Sequence, residues 1–186
     1  MTIEAVNAEV IARAKNGDSE VIGELYERYN LDVFRYLYYR LGDRHASEDL
    51  TSEVFIRMIR SLRGYRSQSD VPFDAWLLQI ARNLAVDHLR KMNVRNHVSL
   101  EEEMVAETTD VDSAVERKLT SDKLIKALNR LSEDQRDVLV LRFVNGMRLE
   151  QVAQTLHKSV DSIKGLQRRG LLALREILTE WEVSYV

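Results

Sequence analysis

The chain of 186 residues contains no cysteine, a single proline and only seven glycines. Without cysteine it has neither a disulfide framework nor a thiolate metal site, which fits a reducing cytoplasm. So few helix-breaking residues, with 45% hydrophobic residues, favour an almost wholly helical globular fold. The N-terminus lacks the basic and apolar segments of a signal peptide, and no apolar run approaches the ~18 residues of a membrane span. We therefore expect a cytoplasmic protein without membrane insertion.

Signatures of catalysis and of cofactor binding are also missing from the sequence. There is no G-x-x-x-x-G-K-[ST] loop to hold a nucleotide. The histidines are scattered without an H-x-x-x-H pair, which argues against a zinc site and against acid-base catalysis: His45, His88, His97 and His157. A small hydrolase or metal enzyme would need a nucleophile-base pair or a ligand cluster, and neither is evident. We expect no enzymatic activity, no cofactor and no metal.

The net charge of −3 is unevenly distributed along the chain. Residues 99–116, SLEEEMVAETTDVDSAVE, carry 7 acidic and no basic side chains, whereas residues 117–186 carry 13 basic and 9 acidic ones. Because the acidic stretch has little apolar periodicity, it predicts a flexible linker. We place this linker at 98–115, between an N-terminal domain at 1–97 and a C-terminal domain at 116–186. It either only solubilises the chain, repels DNA, or occupies a basic channel on a partner.

A helix-turn-helix pattern lies in the C-terminal domain between Met147 and Arg175. A leading helix at 131–145 precedes it, and Ser132 with Gln135 forms the capping box that marks a helix start. The first helix of the pattern has apolar residues at i, i+3, i+4 and i+7: Leu149, Val152, Ala153 and Leu156. A three-residue turn follows, and its last residue, Ser159, is suited to cap the next helix.

The second helix of this pattern combines an apolar stripe with a cationic outer face. The cations on that face are Lys164, Arg168, Arg169 and Arg175. Cations on the outer face of a second helix are typical of major-groove binding, because phosphates attract them and base edges accept hydrogen bonds from them. The alternative is a solvated face on an ordinary helical hairpin.

The N-terminal domain is predicted to form four helices. The first ends at Asn16-Gly17-Asp18, the second spans 19–41 with a possible break near Asn30, and the third spans 46–65. A polar loop at 66–71 follows, and Pro72 is expected in the first turn of the fourth helix, where its missing amide costs little.

Two polar residues interrupt the apolar face of the fourth helix. Asn83 and Asp87 stand one turn apart where leucine is expected. Such residues either join a buried hydrogen-bond network or face a ligand. Both interpretations stay open for Asn83, and the network is favoured for Asp87. Arg90 and Lys91, near the end of this helix, either bind phosphate or complement the helix dipole.

Four stretches of the sequence together resemble the extracytoplasmic-function (ECF) group of bacterial RNA polymerase sigma factors. They are GDSEVIGELYERYN, SEDLTSEVFIRM, FDAWLLQIARNLAVDHLRK and LSEDQRDVLVLRFVNGMRLEQVAQTLHKSVDSIK, in that order along nearly the whole chain. The resemblance to this group of the sigma-70 family implies an all-α fold, with a four-helix domain and a helix-turn-helix domain joined by the acidic linker. It implies a protein that binds core RNA polymerase, directs it to specific promoters and assists promoter melting. The alternative is a conventional helix-turn-helix regulator that binds an operator without polymerase, although no dimerisation helix is evident.

By motif position, the N-terminal domain resembles sigma region two. Its third helix would bind the clamp helices of the largest polymerase subunit with Asp49, Glu53 and Phe55 on or near the surface, and Ser52 replaces a usual glutamine. Its fourth helix and the preceding loop would contact the minus-ten element through Asn83, Arg66, Ser67, Gln68, Arg90 and Lys91. The resemblance places Asn83 in a pocket for a base flipped from the non-template strand, and such a base needs hydrogen-bonding partners.

The C-terminal domain resembles sigma region four, whose recognition helix enters the major groove of the minus-thirty-five element. The implied contacts are Lys164, Gly165, Arg168 and Arg169 at the bases, and Lys158 and Arg175 at phosphates. Gly165 replaces a common serine, which should weaken one base contact. The implied partners are core RNA polymerase, including its flap region, promoter DNA and an anti-sigma factor.

Overall fold

The computed structural model describes residues 6–65, 71–98 and 112–183. Its long elements are all α-helices: α1 (Ala8–Lys15), α2 (Ser19–Leu41), α3 (Arg44–Ser61), α4 (Phe73–Val98), α5 (Asp112–Asn129), α6 (Glu133–Leu139), α7 (Leu149–Leu156) and α8 (Val160–Val183). A 3-10 turn, Leu62–Gly64, follows α3, and a π-helical turn, Val140–Val144, follows α6. The predicted all-α class is therefore confirmed. We use N-terminal domain for α1 to α4 and C-terminal domain for α5 to α8.

The helices on either side of the predicted linker extend into it. Helix α4 extends to Val98 and α5 begins at Asp112, so α5 starts inside the segment that the charge pattern assigned to the linker. The rest of that segment, residues 99–111, lies outside the described residues.

The helix starts of the N-terminal domain follow from side-chain caps. Asn7, Asp18 and Asp43 each accept a hydrogen bond from the backbone N–H three residues ahead, at 2.8, 3.4 and 2.9 Å. Such caps satisfy amides that have no partner within the helix. Helix α2 runs without a break through Asn30, in contrast to the predicted interruption, and ends where Gly42 adopts a φ of 76°.

The predicted capping of the C-terminal helices is confirmed. Ser132 Oγ accepts from the Gln135 N–H at 3.4 Å, and Gln135 Oε1 accepts from the Ser132 N–H at 3.3 Å. Ser159 Oγ accepts from the Ser162 N–H at 3.2 Å and thereby starts α8. Pro72 is not inside the first turn of α4: its carbonyl accepts from the Trp76 N–H at 3.1 Å, which places it just before the helix.

A cluster of aromatic rings fixes both ends of the segment before α4. Phe73 lies 5.4 Å from Tyr29, 5.6 Å from Tyr65 and 5.5 Å from Trp76, measured between ring centroids. The Tyr65 hydroxyl also donates a hydrogen bond to the Val71 carbonyl at 3.1 Å. The start of α4 is thus held against the end of the 3-10 turn and against α2.

The two domains pack against each other and share one contiguous hydrophobic cluster. Helix α7 lies on α4, and α6 with its π-helical turn lies on α2. The C-terminal end of α2 meets α5 so closely that a Cβ at Gly42 would lie 2.9 Å from Ile125 Cγ2. Besides its positive φ, this close approach explains why a glycine ends α2.

Candidate nucleic-acid interface

The cationic face of α8 points to solvent. Lys164, Arg168, Arg169 and Arg175 are exposed, whereas Ile163, directly before Lys164, is completely buried. Ile163 packs in the core with Val152 and Leu156 of α7. This apolar anchor fixes the rotation of α8, so the cations are displayed on one outer surface.

Gly165 gives Arg169 room to lie across the helix. A Cβ at position 165 would be 3.3 Å from Arg169 Nη1, the far end of a flexible side chain. Of the four predicted base contacts, Gly165 and Arg169 therefore lie at the same place on α8. Lys164 lies next to Gly165 in the sequence and forms an exposed ion pair with Asp161 at 3.4 Å. That exposed pair is weak competition for a phosphate or a base.

The turn between α7 and α8 has an unusual backbone and a paired lysine. His157 takes a left-handed conformation with a φ of 52°, which is uncommon for residues other than glycine, although histidine adopts it more often than most. Lys158 is only half exposed, and its Nζ lies 2.9 Å from Asp134 Oδ2 of α6. Of the predicted phosphate contacts, Arg175 is exposed and Lys158 already has an anionic partner.

The predicted minus-ten residues of α4 lie at the surface. Asn83, Arg90 and Lys91 are exposed. Asp87 is exposed as well, so the buried network expected for it is wrong: its position beside the apolar stripe turns to solvent rather than to the core. Arg66, Ser67 and Gln68 lie outside the described residues.

The outer face of α3 combines charged and apolar side chains. Asp49 is exposed and Glu53 is half-buried, with Oε1 2.9 Å from Arg57 Nε. Phe55 is only 5% exposed, and its ring packs edge-on against Tyr26 at 4.7 Å between centroids. It therefore lies in the core beneath this face rather than on its surface. Ile59 has the sequence spacing of a core residue, one helical turn from the buried Phe55, yet it is 47% exposed and lies close to the exposed Ile56.

A buried polar cluster between the domains is the feature that sequence reasoning missed. Asp137 of α6 is completely buried, and its carboxylate accepts hydrogen bonds from three side chains of the N-terminal domain. Tyr36 and Arg40 donate to Oδ1, both at 2.9 Å, and Arg82 donates to Oδ2 at 2.7 Å. Burial, together with the Asp137 carboxylate, holds the pKa of Tyr36 well above its ordinary value, so the hydroxyl stays a donor.

Each domain contains a sequence signal for this cluster, namely a charged residue on or next to an apolar stretch. Asp137 directly precedes the apolar run Val138-Leu139-Val140-Leu141, and Arg40 continues the buried stripe of Val33 and Leu37 on α2. A charge on a buried stripe needs an opposite charge. The sequence therefore favours a pairing of the buried Asp137 with the buried Arg40.

The comparisons with known proteins agree with this architecture. The family model for Sigma-70 region 2 matches residues 25–95, and that for Sigma-70, region 4 matches residues 127–176. The ECF RNA polymerase sigma factor BldN of Streptomyces coelicolor is 36% identical over 175 residues, covering 92% of this chain and 66% of BldN. The ECF RNA polymerase sigma factor SigX of Bacillus subtilis is 30% identical over 168 residues, covering 82% of this chain and 80% of SigX.

A solved structure shows the same fold. It is CnrH in complex with the cytosolic domain of CnrY, with a TM-score of 0.73 at 22% identity, covering 92% of this chain and 96% of that chain. Taken with the matches to both sigma regions, the class is that of two-domain sigma-70 proteins. The chain belongs to the ECF RNA polymerase sigma factors.

Membership in this family assigns the chain to the transcription initiation factors rather than to the classical enzymes. Within the residues that the structure describes, no helix combines the length and the apolar character needed to cross a bilayer.

Proposed function

We propose that this chain binds core RNA polymerase in the cytoplasm, directs it to promoters with two spaced elements and favours the melted state of the promoter. The observation that carries the proposal is the pair of exposed polar and cationic helix faces in matched sigma domains. One is formed by α8 and the other by Asn83, Arg90 and Lys91 of α4. Each face alone offers few contacts, but a polymerase that holds both raises the effective concentration of each element for its domain.

The upstream element is bound by α8 in the major groove. Arg168, Arg169 and Lys164 are assigned to base edges, while Arg175 is assigned to a phosphate. The buried Ile163 supports this assignment because it sets which side of α8 leaves the domain. Gly165 contributes space for Arg169 rather than a contact of its own.

The downstream element is bound as separated strands. An exposed Asn83 offers both donors and an acceptor to a base that has left the stack. Arg66, Ser67 and Gln68 are assigned to the same pocket by motif position, and Arg90 with Lys91 to phosphates. Because only unpaired bases enter such a pocket, binding shifts the population toward open DNA without hydrolysis.

The polymerase contact is assigned to the outer face of α3. Asp49 and Glu53 supply charge, and the exposed Ile56 and Ile59 supply apolar area that sequence reasoning had not assigned. Phe55 supports them from the core together with Tyr26. The clamp helices of the largest subunit are the assigned partner of α3, and the flap region that of the C-terminal domain. An anti-sigma factor that covers such faces is the assigned regulator.

A polymerase-binding assay with a matched pair of variants tests the proposal. Ile59→Lys is expected to weaken binding to sigma-free core polymerase by about tenfold or more, because it places a charge in the centre of an apolar contact. Leu31→Lys is the control, since Leu31 is an equally exposed leucine on α2 rather than on α3. Analytical gel filtration and fluorescence anisotropy measure both. Equal binding of the two variants contradicts the α3 assignment, and failure of the unmodified chain to bind core polymerase contradicts the proposed function.

A further inference from the structure

One carboxylate of the C-terminal domain holds two arginines of the N-terminal domain. The Asp137 carboxylate lies 2.9 Å from Arg40 Nε and 2.7 Å from Arg82 Nε. Arg40 is buried with it, whereas Arg82 keeps a quarter of its side chain exposed. Arg82 is also the residue directly before Asn83, so its charge stands next to the predicted base pocket.

A second carboxylate of α6 connects the two DNA-binding elements. Asp134 lies 3.9 Å from Arg82 Nη2 and 2.9 Å from Lys158 Nζ, the lysine in the turn of the helix-turn-helix. Carboxylates and phosphates offer the same anionic oxygens to guanidinium and ammonium groups. Carboxylates of α6 therefore pair with one cation beside each DNA-binding helix: Arg82 on α4, and Lys158 in the turn before α8.

Further polar contacts of the interface join α7 and the turn after it to α4. Gln151 of α7 donates to Asp74 at 2.8 Å, Thr155 donates to the Ala75 carbonyl at 3.4 Å, and His157 contacts Gln79. In a helix-turn-helix bound to DNA, the first helix crosses the phosphate backbone. Because α7 lies on α4 here, it is not free to take that position.

The spacing of the two promoter elements also requires the two domains to separate. Elements centred near minus ten and minus thirty-five are about 85 Å apart at 3.4 Å per base pair. Two domains joined by hydrogen bonds of 2.7 to 2.9 Å cannot reach both elements at once. The domains must separate before a promoter is bound at both sites.

Arg40 lowers the cost of opening the interface, because part of its guanidinium is buried without a hydrogen-bond partner among the described residues. Arg40 Nη1 and Nη2 have no hydrogen-bond partner in the described part of the chain. Glu133 lies 3.5 Å from Nη2, which is an ion-pair distance without hydrogen-bond geometry. Opening the domains gives water to both nitrogens, and this hydration offsets part of the lost ion pair.

We propose that Asp137 and Asp134 form an intramolecular latch that keeps the two domains closed, and that Arg82 exchanges Asp137 for a promoter phosphate when the latch opens. This inference rests on the proposed function, because it takes both domains to be promoter-binding modules. The latch hypothesis adds Arg82 to the residues that contact DNA. It also assigns the α6 carboxylates, Asp137 and Asp134, to the place that a promoter phosphate takes in the open state.

A disulfide that locks the interface tests the latch directly. The chain has no cysteine, so Gln79→Cys combined with His157→Cys introduces the only pair, at two side chains that touch across the interface. We expect the oxidised double variant to lose core-dependent transcription by roughly tenfold or more and the reduced form to recover it. Mass spectrometry verifies the intramolecular disulfide. If the oxidised double variant, verified to contain the disulfide, transcribes normally, the latch is refuted.

This test separates the latch from the proposed function. If the unmodified chain yields no core-dependent transcript, the proposed function fails. If the unmodified chain and the oxidised variant transcribe equally, only the latch fails.

The role of Arg82 needs variants that open the latch in two ways. Asp137→Asn removes the anion and should raise the affinity of the free chain for a labelled random-sequence DNA duplex by roughly 3- to 10-fold, because the open population rises. Adding Arg82→Ala should reverse part of this gain and lower the salt-dependence slope by about 0.9, the value for one lost phosphate contact. An unchanged slope refutes the Arg82 contact.

Small-angle scattering provides the second readout for the latch variants. Asp137→Asn should enlarge the radius of gyration while circular dichroism shows unchanged helix content. An unchanged radius together with unchanged DNA affinity refutes the latch. Loss of helix content likewise refutes it, because it assigns Asp137 to the stability of the fold instead of to domain closure.

Discussion

The two glycines of α8 have opposite surroundings, and this predicts opposite effects of alanine at the two positions. Gly165 and Gly170 both lie inside the helix, where alanine is favoured over glycine by about 1 kcal/mol. At position 165 a Cβ would meet only the flexible end of Arg169, with Nη1 at 3.3 Å. At position 170 a Cβ would meet Leu139 Cδ1 and Cγ, both at 3.3 Å, and Gln135 Cβ at 3.4 Å.

The difference between the two variants follows from what each neighbour can do. Arg169 is exposed and moves away at little cost, so Gly165→Ala should stabilise the chain by about 0.5 to 1 kcal/mol. Leu139 is only 3% exposed and packed on all sides. Overpacking there costs about 1 to 3 kcal/mol, which leaves Gly170→Ala destabilised by about 0 to 2 kcal/mol after the gain in helix propensity.

Urea unfolding, followed by circular dichroism, measures both variants against the unmodified chain. We expect Gly165→Ala to be more stable than Gly170→Ala by about 0.5 to 3 kcal/mol, with the same dependence on urea concentration. If Gly170→Ala is as stable as Gly165→Ala, α8 does not pack closely on Leu139 and Gln135 of α6.

Three further predictions concern the two DNA-binding faces and the domain interface. Arg168→Ala should cost about 1 to 3 kcal/mol at the minus-thirty-five element and relax specificity there; a competition assay with scrambled DNA checks this, and an equal loss on both DNAs contradicts base recognition. Asn83→Ala should impair permanganate-detected strand opening more than polymerase binding, because only the open state uses the base pocket; normal melting would rule that pocket out. Burial raises the pKa of Asp74, so its protonated form favours the folded state. That stability is fully present below the pKa of the unfolded chain and is lost as the pH rises through the raised pKa. Asp74→Asn should therefore flatten the fall of unfolding free energy as the pH rises above the ordinary carboxyl pKa of about 4, and equal slopes for both proteins would contradict the raised pKa.

Local chemistry was sufficient to predict much of this fold. The second helix was predicted at 19–41, and the structure gives Ser19–Leu41, because Asp18 caps its start and Gly42 terminates it. The cationic side of α8 was also predictable, since its buried stripe has a helical period that fixes which side faces out. In both cases, residues close in sequence contain the whole signal.

Periodicity assigns a face to a residue but not the element that covers that face. Ile59 is spaced like a core residue of α3, yet no helix covers its side of α3 in the described residues, and it is exposed. Asp87 stands next to an apolar stripe and turns to water. Asp137 and Arg40 are 97 residues apart, and their pairing exists only because the two domains close on each other. Hydrophobic spacing within one helix contains no information about such a partner.

Transcription in vitro from a library of genomic fragments, with and without sigma-free core polymerase, tests the proposed function most directly. We expect transcripts that start downstream of two shared, spaced elements and appear only when the chain and core polymerase are both present. Tight binding of the chain to discrete operators without polymerase, and no transcripts when polymerase is present, would exclude a sigma factor and make the protein a conventional helix-turn-helix regulator.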